Sequence, residues 1–206
     1  MWISTVIKRK EELQMKNLFK AVLVAGMLSL SVGFTSFAAT TITGLADEIS
    51  KEPNTFYTLY LGMSPADFHE NWDDIPGWSA QQGTESATTF NTHTREIKLD
   101  GKKCQETVAV TYSSRNNIYY FSHTLYSNDV KLLAKYYTTV YNNCVKNYPG
   151  FENVKYDPTP RKGVGKGLKL DNNSNVTINF FEQTPRNGNI PKYKYFVSLS
   201  YQTRSF

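Results

Sequence analysis

Three histidines and two cysteines carry most of the chemistry this chain could offer. His69, His93 and His123 stand without H-x-x-x-H spacing, and Cys104 and Cys144 do not form the clusters a zinc site uses, so no metal site is expected. His69 and Asp73 are four apart on one helix flank, which makes a surface pair or, facing a cleft, a carboxylate-held general base. No G-x-S-x-G elbow marks a nucleophile, and no carboxylates are paired at a meaningful spacing. Asp171, Asn173 and Asn175 mimic the start of a calcium loop, but Val176 stands where that loop needs glycine and no acidic residue closes it. These residues read as a turn. No catalytic, cofactor-binding or metal-ligating residue is assigned, no cofactor is expected, and three histidines far apart and solvated would leave catalysis without a base.

The compartment is set by the N-terminal region. Met15-Lys16-Asn17-Leu18-Phe19-Lys20 is a short basic start, followed by the apolar run from Ala21 to Leu30. Ser36-Phe37-Ala38 puts small residues at the -3 and -1 positions of a signal-peptidase site, which predicts cleavage between Ala38 and Ala39. Residues 15–38 are thus read as a signal peptide, and residues 1–14, upstream of its basic region, as a non-native extension. Lys10-Glu11-Glu12 can be encoded by a purine-rich ribosome-binding sequence just before the Met15 codon, which points to a bacterial source. The full chain has 23 basic and 18 acidic residues, net +5, but the leader removes five bases and two acids and leaves +2. Nucleic acid is therefore not expected as a partner. The expected product, residues 39–206, is a single exported domain, periplasmic or secreted. It has no lipidation cysteine near the cleavage site and no stable membrane anchor.

In that oxidising setting Cys104 and Cys144 invite a disulfide, which would close a loop of about 40 residues and stabilise the fold by about 4 kcal/mol on the chain-entropy model. A helix folded straight back along its preceding strand would instead separate the thiols by about 20 Å. A bonded pair and two buried free thiols both stay open. Arg161-Lys162-Gly163-Val164-Gly165-Lys166-Gly167-Leu168-Lys169 interleaves Gly and Lys but lacks the G-x-x-x-x-G-K-[ST] of a phosphate loop. Its Arg161, Lys162, Lys166 and Lys169 read as a solvated loop or as an anion-binding loop for envelope polymers. Among the many aromatics, Trp78 and the run Tyr119-Tyr120-Phe121 are the positions for an exposed binding platform.

These residues must be held by an α+β fold. Phe56 to Leu61 reads as a leading strand. Ser64 then caps a first helix over about 65–74, with Pro65 at N1, Asp67 closing the cap, and Met63 stapled on Phe68. Ser79 to Thr92 reads as a surface loop or irregular edge strand. Thr94 to Leu99, Cys104 to Tyr112 and Ile118 to Tyr126 form a meander around the turn Asp100-Gly101. Asn128 to Asn147 is a long helix with Val130, Leu133, Ala134, Tyr137, Val140, Tyr141, Cys144 and Val145 on its apolar face. Strands follow at Val164 to Leu170, Val176 to Gln183 and Lys192 to Gln202. The expectation is an antiparallel sheet with two helices packed on it, possible as a duplicated helix-plus-three-strands unit.

The run Leu61-Gly62-Met63-Ser64-Pro65-Ala66-Asp67-Phe68, with its short helix and strand meander, resembles a unit found in small bacterial envelope lipoproteins that assist outer-membrane assembly. It resembles equally the related tandem-repeat β-lactamase-inhibitor fold. That resemblance, over residues 55–126, implies a protein that binds other proteins and catalyses nothing; it carries over no binding residue. The expected function is an exported, non-catalytic binding module of the bacterial cell envelope, with another envelope protein as partner. Anionic cell-wall polymer or glycan is the alternative ligand, and an uncharacterised hydrolase the remaining class.

Overall fold

The computed structural model describes residues 41–52, 55–85, 88–113, 117–162, 166–170, 173–185 and 189–203. The extension, the signal segment and the Ala38-Ala39 cleavage site lie outside the described residues. Residues 39–206 make one compact α+β unit.

Its first element is a helix that sequence reading passed over as a polar lead-in. The Thr41 hydroxyl accepts the Gly44 N–H and starts α1 (Ile42–Ser50), in which Ile42, Leu45, Ala46 and Ile49 recur at helical spacing and are all buried. The expected leading strand is instead a tight hairpin of β1 (Thr55–Phe56) and β2 (Leu59–Tyr60). Tyr57 takes a left-handed φ of 53° in its turn, a conformation a bulky residue holds only when its surroundings fix it. Helix α2 (Pro65–Trp72) starts as expected: Ser64 Oγ accepts the Asp67 N–H at 3.1 Å and its hydroxyl donates to the Asp67 carboxylate at 2.7 Å. Met63 and Phe68 are both buried beside this cap.

Of the two readings of Ser79 to Thr92, surface loop or irregular edge strand, the second is present: β3 (Ser79–Glu85) lies at the sheet edge and the rest begins β4 (Thr88–Leu99). Asp100 (φ 45°) and Gly101 (φ 77°) turn β4 into β5 (Lys102–Ser113), the two positive φ values a tight hairpin needs. β6 (Tyr120–Ser127) leads to α3 (Val130–Asn147). The cap of α3 is Asp129, whose Oδ1 accepts the N–H groups of Lys131 and Leu132, while Ser127 Oγ accepts the Asp129 N–H. After a 3-10 turn at Phe151–Asn153 come β7 (Lys166–Lys169), β8 (Ser174–Glu182) and β9 (Tyr195–Thr203).

The large sheet has the order β3-β4-β5-β6-β9-β8-β7 and every neighbouring pair is antiparallel. Two meanders, β4-β5-β6 and β7-β8-β9, therefore meet along their last strands. Helix then meander occurs twice, as a duplicated unit requires, but α1 and β3 have no counterpart in the second half. No described helix is long and apolar enough to cross a membrane.

All three helices cover the same face. Tyr137 and Phe180 stack at 6.0 Å, Tyr148 meets Tyr201 at 6.2 Å, and Phe68 meets His93 at 5.8 Å. α1 lies along α3, where Asn143 donates to Asp47 and Ser50 and Asn147 to the Ser50 and Lys51 carbonyls. Leu132 and Tyr136, outside the apolar stripe expected for α3, are buried too, Tyr136 against His123 of β6. Among the described residues no helix lies against the opposite face. Register paves that face with short hydroxyl side chains: Thr94, Thr107, Thr124 and Ser198 fall in one row across four strands, and Thr92, Ser122, Ser200 and Thr177 flank it. Thr94 and Thr107 are hydrogen-bonded at 3.2 Å, and Thr124 donates to Ser198 at 3.0 Å.

Candidate functional site

Strand alternation brings one carboxylate into the core. Glu106 lies on the helix-covered face of β5, and its side chain is 0% exposed. Its Oε2 takes the Nε–H of Arg95 at 2.6 Å from β4, and its Oε1 meets His123 Nε2 at 2.9 Å from β6. The Tyr57 hydroxyl, delivered by the strained hairpin turn, donates to the same Oε1. Tyr136 of α3 pairs with His123 Nδ1 at 3.1 Å. Burial by itself raises the Glu106 pKa, but His123, Arg95 and Tyr57 outweigh it and hold the carboxyl below its ordinary range. Burial, with the Glu106 charge second, pushes the Tyr57 and Tyr136 phenols well above theirs. Trp78 closes the outer side: Arg95 sits 4.4 Å from its ring centre, and the ring packs on Trp72 and Tyr57. A sealed cluster of this kind fastens hairpin, helix and sheet to one another. It gives no substrate access to Glu106 or His123.

A second polar group joins α2 to the sheet. Asp73 reaches His69 Nδ1 at 2.8 and 2.9 Å, and His69 Nε2 lies 2.8 Å from the Tyr112 hydroxyl, which also accepts from Asn91 at 3.0 Å. The Asp–His–hydroxyl order matches a proton relay, but burial raises the Tyr112 pKa, the opposite of what a nucleophile needs. His93, 2% exposed, packs on Phe68 and Trp72. Its burial lowers its pKa against the smaller opposing pull of the Trp72 backbone. The sequence pairing of His69 with Asp73 is thus present, while His93 and His123 are core residues rather than solvated ones. Among the described residues no three His, Cys, Asp or Glu side chains are grouped to hold a metal ion.

The aromatic platform expected from sequence is not assembled. Phe121 is 0% exposed on the helix-covered face and meets Phe56 and Tyr201 at 5.0 Å each, Tyr120 is half-buried on the opposite face, and Trp78 is the cover over Arg95. Tyr119 is half-buried and spends its backbone on Thr111 and Thr203. A stripe that sequence reading missed takes its place on the helix-free face. Register sets Tyr126 opposite Phe196 and Phe196 opposite Phe181, with ring centres 5.5 Å apart at both steps. The stripe runs into an open groove of 870 Å³ lined by Phe181, Phe196, Arg161, Lys162 and Ile190, the last 85% exposed. Its mark in the sequence is Phe196, an aromatic on the face of β9 that otherwise carries Ser198 and Ser200.

The four basic residues proposed as an anion loop do not converge. Arg161 pairs with Asp157 at 3.1 Å and, with Lys162, lines the groove. Lys166 and Lys169 belong to β7, where register puts Lys166 opposite Ile178 on the helix-covered side and Lys169 opposite Asn175 on the other. Gly167 between them serves strand pairing: a Cβ there would come within 2.5 Å of the Val176 carbonyl oxygen. Residues 163–165 and Asp171 lie outside the described residues.

Cys104 and Cys144 are buried free thiols. Cys104 lies by Ser127 at the start of α3 and Cys144 in its last turn, about 20 Å further along the helix axis, so no bond spans them. Burial pushes the Cys104 thiol up and the Cys144 thiol to about 12. Native protein should therefore resist a thiol reagent, and unfolding without reductant should release two reactive thiols per chain; a count of none after unfolding would establish a disulfide. Comparison of the chain with protein families, with curated proteins and with solved structures returns no match, so no relative lends it an activity, ligand or partner.

Proposed function

We propose that the chain is an exported, non-catalytic binding module of the bacterial cell envelope, and that its partner is another protein docked on the helix-free face of the sheet. The observation that carries this reading is the Tyr126–Phe196–Phe181 stripe, half-buried on a face that no described helix covers and continuous with the Arg161–Lys162 groove. Rings and an arginine over a hydroxyl-paved floor are the side chains that anchor protein interfaces. The non-catalytic part of the reading draws support from the polar clusters, which are sealed in the core or engaged at α2.

Photo-crosslinking in cells tests it. A photoreactive residue in place of Phe196 or Gln105 should give a discrete protein adduct that hardly changes with ionic strength, whereas one in place of Asn142, on the exposed side of α3, should give none. Adducts confined to position 142, or none at 196 and 105, would refute the proposal.

A further inference from the structure

A second concave site lies apart from the stripe. We infer that the cleft at the start of α3 binds a linear phosphodiester polymer. The cleft, of 670 Å³, lies between the start of β5, the α3 cap and the segment before β9, and shares no lining residue with the aromatic groove. Lys102, Lys103, Lys131 and Lys192 line it.

Asp129 is the one acid among its lining residues, and that carboxylate is already engaged: Oδ1 accepts two helix N–H groups and Oδ2 lies 3.7 Å from Lys102. Lys192 is held by Glu96 at 2.7 Å. Among the described residues Lys103 and Lys131 have no carboxylate at ion-pair distance, although the Glu96 charge acts on Lys103, so the four lysines of the cleft outnumber the two carboxylates beside them, Asp129 and Glu96, by two. Register sets Lys103 directly opposite Lys98 across the β4–β5 pair, two like charges that repel, with the Glu96 carboxylate diagonal to Lys103 and already shared with Lys192.

Chemistry narrows the ligand. Lysine ammonium groups are point charges that meet phosphate oxygens one at a time, which suits anionic groups spaced along a chain. The floor is half-buried Val130 and the buried Tyr193 ring, which has Lys192 over its face at 5.3 Å and its hydroxyl turned to Glu96. A chain alternating phosphates with uncharged linkers satisfies rim and floor together, and a concave cleft admits such a chain where a flat bilayer would meet only its rim.

The test uses labelled poly(glycerol phosphate) and fluorescence anisotropy on the protein. Binding should fall with salt, and the Lys103→Ala/Lys131→Ala variant should bind about tenfold more weakly at low salt, with a log–log salt slope smaller by about 2. Lys103→Arg/Lys131→Arg should restore both, and Lys162→Ala/Lys166→Ala should change neither. Three results would overturn the inference: no effect of the double alanine variant, loss of binding only in the Lys162→Ala/Lys166→Ala variant, or equal affinity for phosphatidylglycerol vesicles. Crosslinks from position 196 should persist in the Lys103→Ala/Lys131→Ala protein, which separates this site from the sheet face.

Discussion

Glu106→Gln should remove about 3–5 kcal/mol of stability at neutral pH, the cost of breaking a buried ion cluster from one side. Glutamine has the shape of the native side chain but removes the negative charge that faces the Arg95 guanidinium, which is only 15% exposed, and gives Tyr57 and His123 a weaker acceptor. The pH dependence has a definite sign. A carboxyl held below the ordinary value of 4.5 in the folded protein contributes stability that is complete above that value and is lost as pH falls through the lower folded one. Native protein should therefore lose stability in acid faster than the variant, and the two curves should converge. Other depressed carboxyls, such as Glu96 and Asp129, are common to both proteins and cancel in the difference. Urea unfolding of both proteins from neutral to acid pH measures this, and a constant gap would rule out Glu106 as the group responsible.

Adjacent residues of β6 should behave in opposite ways. Phe121→Ala should cost about 3–5 kcal/mol, because a fully buried ring packed on Phe56 and Tyr201 leaves a cavity between sheet and hairpin. Tyr120→Ala, on the hydroxyl-paved face, should cost about 1 kcal/mol. Denaturant midpoints with unchanged slopes would report both, and equal losses would mean that the sides of β6 are misassigned.

Local chemistry was legible to the extent that it was local. The Ser64 cap, the Asp100-Gly101 turn and the apolar stripe of α3 each lie within a few residues, and the elements they mark are present. α1 was legible too, from Thr41 and the Ile42, Leu45, Ala46, Ile49 spacing, but its place just after the leader made it read as a lead-in. The rest depends on which strands become neighbours. Nothing near Glu106 indicates that Arg95, His123, Tyr57 and Tyr136 will surround it, and each comes from a different element. The same holds for the stripe, since Tyr126, Phe196 and Phe181 are unrelated in sequence until β6, β9 and β8 align. Tyr119-Tyr120-Phe121 fails as a platform for the converse reason: neighbours along a strand face opposite ways.

The seam between the two meanders also governs the order in which the molecule can be assembled. β6 and β9 lie at the middle of the sheet, yet Ser127 pairs with Tyr195 and Tyr120 with Gln202, across the whole of α3, β7 and β8. Closing such a distant pairing costs chain entropy before it returns any contact, which makes it a slow step. A nascent chain synthesised only as far as α3 has a helix with half its platform missing, so its greasy side stays uncovered and open to chaperones. Maturation then waits on β9, which closes the sheet from its centre outward.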